Sequence, residues 1–209
     1  MIDLLLATLP IFAMLLIVEL IWRSGRLHAE YSRKVIHILT GSYVAFWPYF
    51  IERKQILLLV AALFLTILLS RSLQLFRSIH QVKRTTFGDL LFPLALAVAA
   101  LVAESDIIFT AVVLHMSLAD GLAAVIGTRW GKGNAYSVFG GIKSVVGTLT
   151  FIVVSGGIVL TVLAGSNQPL LPAVVLIPLG AAVLENIGAY GLDNVFVTGF
   201  VLIVLNAML

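Results

Sequence analysis

Apolar runs of about 20 residues recur along this chain, separated by short polar segments, and that rhythm leaves few folds open. A helix needs about 20 mainly apolar residues to cross a bilayer. On that rule, helices are predicted at about 4–22, 35–51, 55–70, 88–103, 107–127, 144–164, 172–187 and 194–209. Composition points the same way. Of the 209 residues, 61% are hydrophobic and 11% charged, and mean hydropathy is +1.12. That is more apolar surface than a soluble domain of this size needs. The expectation is an all-α integral membrane protein, a polytopic bundle of about 7–8 transmembrane helices forming one domain over 1–209. The first run lacks a basic leading segment and a convincing cleavage site, so it reads as a retained helix.

The charges then sort by position. Arg23, Arg26, Arg33 and Lys34 lie between the first and second runs, Arg71, Arg77, Lys83 and Arg84 between the third and fourth, and Arg129, Lys132 and Lys143 between the fifth and sixth. Only Arg53 and Lys54 fall on the other side. Cytoplasmic loops carry the excess of lysine and arginine, so the larger set is expected in the cytoplasm, with both termini outside. A net charge of +3 gives no footing for nucleic acid, and with no cysteine neither a disulfide nor a thiolate metal site is possible.

Candidate chemistry concentrates in Ser117–Gly147. Asp120 follows about a dozen apolar residues, so it belongs to a membrane helix, where a charge costs roughly 2.5–3.5 kcal/mol on insertion scales. Ala119, Gly121, Ala123, Ala124 and Gly127 surround it and let a neighbouring helix or a ligand approach the backbone. A flexible loop rich in glycine and cations follows, carrying Arg129, Lys132 and Lys143. Ser144 is a candidate N-cap for the next helix, which would turn the N–H groups of Val145, Val146 and Gly147 toward the loop beside Lys143. A helix N-terminus next to a lysine favours phosphate, and a carboxylate beside it suggests a bridging divalent cation, Mg²⁺ above all.

Further polar groups fall on the same side. Arg33, Lys34 and His37 open the second helix, as a headgroup anchor or as part of a site. Thr85 or Thr86 would cap the fourth helix, with Asp89 in its first turn as dipole complement or ligand. Glu185-Asn186 ends the seventh helix, and Asp193-Asn194 opens the eighth. His115 reads as a satisfied core histidine, and Glu19 as a residue near the cytoplasmic end of the first helix.

Taken in order, RKVIH (33–37), TTFGDLLFPLALA (85–97), LADGLAAVIGTRWGKG (118–133), GGIKSVVGT (140–148) and GLDNVFV (191–197) resemble the CTP-dependent lipid kinases, the family of dolichol kinase, phytol kinase and their microbial relatives. The resemblance implies transfer of the γ-phosphoryl group of CTP to the hydroxyl of a membrane alcohol, with a divalent cation. Asp120 resembles the metal and nucleotide aspartate, Lys143, Ser144 and Gly147 the phosphate-binding turn, and Asp193 and Asn194 the polar pair completing the site. Arg129 and Lys132 are expected to add phosphate charge, and His37 or a carboxylate to take the proton. Ala119 stands where family members often have glycine. Val146 stands where many have an acidic residue, leaving Asp89 or Asp193 as the second carboxylate. The related phosphatidate cytidylyltransferase carries a Gly-His-Gly-Gly and Asp-Arg signature near its C-terminus, and Gly191-Leu192-Asp193-Asn194 departs from it. CDP-lipid synthesis and CTP-dependent diacylglycerol phosphorylation remain the alternatives. A small transporter is the non-enzyme alternative, although the polar groups sit at one face rather than at the midplane and no repeat is visible.

Overall fold

The computed structural model describes residues 2–25, 29–73, 87–139, 141–164 and 170–209. The described residues form eight helices and one small hairpin. They are α1 (Ile2–Arg23), α2 (Ala29–Val44), α3 (Arg53–Leu73), α4 (Gly88–Val102), α5 (Asp106–Trp130), the hairpin strands β1 (Ala135–Val138) and β2 (Gly141–Ser144), then α6 (Val145–Leu163), α7 (Leu170–Ile187) and α8 (Asp193–Met208). This is the expected all-α membrane bundle. Helices α1, α5 and α6 and residues Arg53–Ser70 of α3 are long and apolar enough to cross a membrane, and α4, α7 and α8 are shorter apolar helices.

The centre of the bundle is α5. It packs against α2, α6 and α8, with Phe109, Val112, Val113 and Met116 fully buried. Small residues set the close approaches. A Cβ on Gly147 would lie 3.0 Å from the Ala123 carbonyl, and one on Gly127 would lie 3.2 Å from Gly147 Cα, so α5 and α6 meet almost backbone to backbone. His115 is buried in this core. Its ring nitrogens meet the Ala111 carbonyl at 2.7 Å and Ser155 Oγ at 2.8 Å, the satisfied core histidine expected.

The two ends of the bundle differ. At one, Arg53 donates to the carbonyls of Ala100 and Ala103 and reaches Asp106 at 3.5 Å. The candidate site residues gather at the other.

Three expectations need correction. The second helix spans Ala29–Val44 rather than 35–51, because Pro48 forces a separate 3₁₀ turn at Trp47–Tyr49. The described residues of 128–139 and 141–143 form regular structure rather than a flexible loop. Helix α5 runs on to Trp130, a 3₁₀ turn covers Lys132–Asn134, and the hairpin pairs Tyr136 with Lys143 and Ser137 with Ile142. Finally, α4 starts after Phe87 without a side-chain cap; Thr85 and Thr86 lie outside the described residues.

Candidate functional site

A change of helical register places Asp120. Helix α5 is regular to Leu114, passes through a π turn at His115–Ala119, and resumes at Asp120. Such turns are frequent at functional sites, because one extra residue re-aims the side chains that follow. Within this turn the Met116 carbonyl accepts from His37 Nε2 at 2.8 Å. A ring nitrogen bonded to a carbonyl carries the proton, so in neutral His37 the basic nitrogen is Nδ1. Lys34 and His37 are three residues apart on one face of α2. They face Asp120 Oδ2 at 3.1 Å and 3.8 Å, respectively, and all three side chains are largely buried. Phe92 closes on the His37 ring edge-on, with centroids 4.7 Å apart.

The hairpin delivers Lys143. Tyr136 stands directly opposite it across the strands, on the same face. The Tyr136 hydroxyl bonds Thr148 Oγ1 of α6 at 2.6 Å and also donates to Asn186 of α7. Those anchors pin the hairpin to both helices and hold Lys143 over Glu185. Lys143 donates to the Glu185 carbonyl at 3.0 Å and pairs with its carboxylate. Burial pulls the Lys143 ammonium down, but the Glu185 and Asp120 carboxylates outweigh it and hold its pKa above the ordinary lysine value.

Asp193 arrives through a tight turn. Tyr190 and Gly191 have φ of 58° and 97°, and a Cβ on Gly191 would lie 2.4 Å from the Gly88 nitrogen, a contact open only to glycine. The Tyr190 carbonyl accepts from Phe87 N at 2.9 Å, tying the start of α4 to the start of α8. Asp193 then lies in the first turn of α8, its Oδ1 accepting from Asn194 N at 3.0 Å, and Asn194 Nδ2 donates to the Gly191 carbonyl.

Asp120, Glu185 and Asp193 bring one carboxylate oxygen each within 4.8 Å of one another. Lys34 and Lys143 flank this cluster. Hard divalent cations take oxygen ligands, and Mg²⁺ is typically held by one or two carboxylates together with substrate phosphates, so the donor set fits such an ion. The third carboxylate is Glu185, noted in the sequence only as a polar helix end. Asp89 lines the cavity nearby but stands outside the cluster, its Oδ1 accepting from Leu90 N at 3.1 Å. The cluster therefore draws on α7 and α8 as well as on the stretch 117–147.

Ser144 is the N-cap of α6, accepting from Gly147 N at 3.1 Å. The exposed N–H groups expected there are partly used, because Val146 N also donates to Asn134 Oδ1 at 3.4 Å. Lys132, Ser144 and Gly147 line the cavity; Arg129 does not, its guanidinium lying 4.9 Å from the Trp130 ring centroid.

One cavity of about 880 Å³ is lined by Lys34, His37, Asp120, Lys143, Glu185 and Asp193. From the carboxylates it extends past His37, Thr40 and Phe92 to an apolar end among α1, α2 and α3. Fold and site together define a helical membrane protein whose charged site opens into an apolar cavity. The phytol kinase of Synechocystis sp. (strain ATCC 27184 / PCC 6803 / Kazusa) is 32% identical over 205 residues, an alignment covering 92% of this chain and 85% of that protein. The chain belongs to the phytol kinase family. No family model matches it, and neither does any solved structure.

Proposed function

We propose that the protein is a CTP-dependent kinase that phosphorylates the hydroxyl of a membrane isoprenoid alcohol such as phytol, geranylgeraniol, dolichol or another polyprenol. Membership of the phytol kinase family supports phosphoryl transfer to such an alcohol. The observation that carries the reading is the single cavity joining a carboxylate–lysine cluster to an apolar pocket, since the reaction must bring a polyanion and a lipid together. CTP as donor rests on the resemblance of the motifs.

The transition state needs in-line positioning, charge neutralisation and exclusion of water, with little covalent help from the protein. The alcohol oxygen attacks the γ-phosphorus, the bond to the β–γ bridging oxygen breaks, and CDP leaves with the electron pair. Asp120, Glu185 and Asp193 are the residues to hold a divalent cation, which when bound supplies positive charge to the donor's phosphates. Lys34 pairs with Asp120 and Lys143 with Glu185, so both ammonium groups stand beside the carboxylates where they would offset phosphate charge. Lys132, Ser144, Gly147 and Asn194 line the nucleotide end. The hydroxyl proton passes to His37 through Nδ1 or to a cluster carboxylate. The active face is cytoplasmic on the positive-inside rule, and Arg53 lies at the opposite end of the bundle.

The test is transfer by purified protein in lipid nanodiscs with Mg²⁺ and CTP labelled at either the α or the γ phosphorus. Label from the γ position is expected in the lipid, with the α label remaining in soluble CDP. An α label in the lipid would instead mean CDP-lipid synthesis. Equal or faster transfer from ATP would remove CTP as the preferred donor.

A further inference from the structure

The apolar end of the cavity has a definite construction. Its walls are Ile11, Phe12 and Leu15 of α1 and Leu63, Thr66, Ile67 and Ser70 of α3. Within α1 the spacing is one and four residues, and within α3 it is three, four and seven, so each helix gives the cavity one continuous face. Helix α1 packs on α2, and α3 packs on α4, while α1 and α3 make little contact with each other among the described residues. Between them lies a slot floored by Ile36, Thr40 and Val44 of α2. Phe12 is 60% exposed on the outer surface of the bundle while also lining the cavity, so the slot opens sideways toward the bilayer.

The floor of the slot leads to the charged site along α2. Val44, Thr40, Ile36 and His37 follow one face of the helix, and Val44 to His37 spans about 10 Å along the axis. An alkyl chain lying in the slot therefore delivers its end group beside His37 and Asp120 without leaving apolar surroundings. Among the described residues, none of the slot's walls or floor named above carries a charge, so neither a nucleotide nor an ion has use for this part of the cavity.

We propose that the slot between α1 and α3 is the lateral gate and chain-binding channel for the lipid acceptor. Leu15, Leu63 and Ile67 are then its specificity-determining residues, selecting the acceptor's isoprenoid chain by the length it buries. This rests on the kinase reading for the identity of the acceptor, but the location of the chain is separately testable.

Two measurements test it. First, Leu63→Trp and Ile67→Trp are assayed for kcat and KM on isoprenoid alcohols of increasing chain length, with Leu160→Trp on the outer face of α6 as control. The channel predicts a KM raised at least about tenfold more for the longest alcohols than for the shortest, because buried chain contacts are lost in proportion to the length that the slot holds. An equal fall for all chain lengths, or none, would overturn it. Second, an isoprenoid alcohol carrying a diazirine at its tail is photolysed in nanodiscs with the wild-type protein, and labelled residues are mapped by mass spectrometry. Label within 11–15 and 63–70, competed by excess unlabelled isoprenoid alcohol but not by added phospholipid, is expected whether or not phosphate is transferred. Label elsewhere, or equal competition by phospholipid, would refute the channel. Specific label in the slot of a protein that transfers no phosphate would sink the kinase reading alone.

Discussion

Glu185→Gln isolates the residue that packing, rather than local sequence, adds to the site. The substitution keeps shape and removes one negative charge from a side chain that is only 6% exposed. Lys143 keeps the Glu185 carbonyl at 3.0 Å but loses its direct carboxylate partner. Breaking a buried ion pair from one side costs about 3–5 kcal/mol, because the remaining charge stays buried. Asp120 and Asp193 lie close by and offset part of this, so the low end, about 3 kcal/mol, is expected. At roughly 2–4 °C per kcal/mol for a chain of this size, the unfolding midpoint in detergent should fall by about 6–12 °C. Lipid phosphorylation should fall as well, and the Mg²⁺ concentration for half-maximal rate should rise. The double variant Glu185→Gln with Lys143→Met separates the causes. Removing both charges should restore most of the stability while leaving transfer lost. A single variant with native midpoint and native turnover would refute both the pairing and the site role of Glu185.

Other expectations follow from the same geometry. His115→Ala should cost about 2–5 kcal/mol of stability through a cavity in the α5–α6 contact, while turnover per folded protein stays within a fewfold of wild type. Because the folded pKa of Lys143 lies above the ordinary 10.5, its ion pair stabilises fully below pH 10.5 and is lost as pH rises through the folded value. The unfolding midpoint of the wild type should therefore drop more steeply above pH 10.5 than that of Lys143→Met. Single cysteines at Ser24 and Gly133 should react with an impermeant thiol reagent from one side of sealed vesicles, and one at Glu104 from the other; labelling of Ser24→Cys and Gly133→Cys from opposite sides would dismantle the assembled site.

The helices were legible because the bilayer imposes their length, and each predicted span corresponds to one of the eight. The end of α2 was not, since Trp47-Pro48-Tyr49 continues the apolar run and hydropathy is blind to a break in hydrogen bonding. The π turn before Asp120 has no local signature in composition. The hairpin was hidden for a different reason: its strands are four residues each, and what holds them is Tyr136 reaching Thr148 and Asn186, a tertiary contact. Within the site, Asp120, Asp193, Lys143 and His37 stood out as polar groups in apolar surroundings and do meet. Glu185 read only as the polar end of a helix, and the packing of α7 on α6 and α8 brings it in. Arg129 shows the converse error. It is near Asp120 in sequence, but the helix continues, carrying it about 13 Å further along the axis to Trp130.

Asp120→Asn is the most direct test of the carboxylate site. Asparagine keeps the size and most of the hydrogen-bonding capacity facing Lys34, but not the charge that would hold a cation against phosphate. The measurement is the rate of γ-phosphoryl transfer from CTP to an isoprenoid alcohol per folded protein, with monodispersity in detergent as the folding check. The expected result is a well-folded variant whose rate falls by at least about 10²-fold. A monodisperse Asp120→Asn protein turning over within a fewfold of wild type would contradict the site on which the proposed function stands.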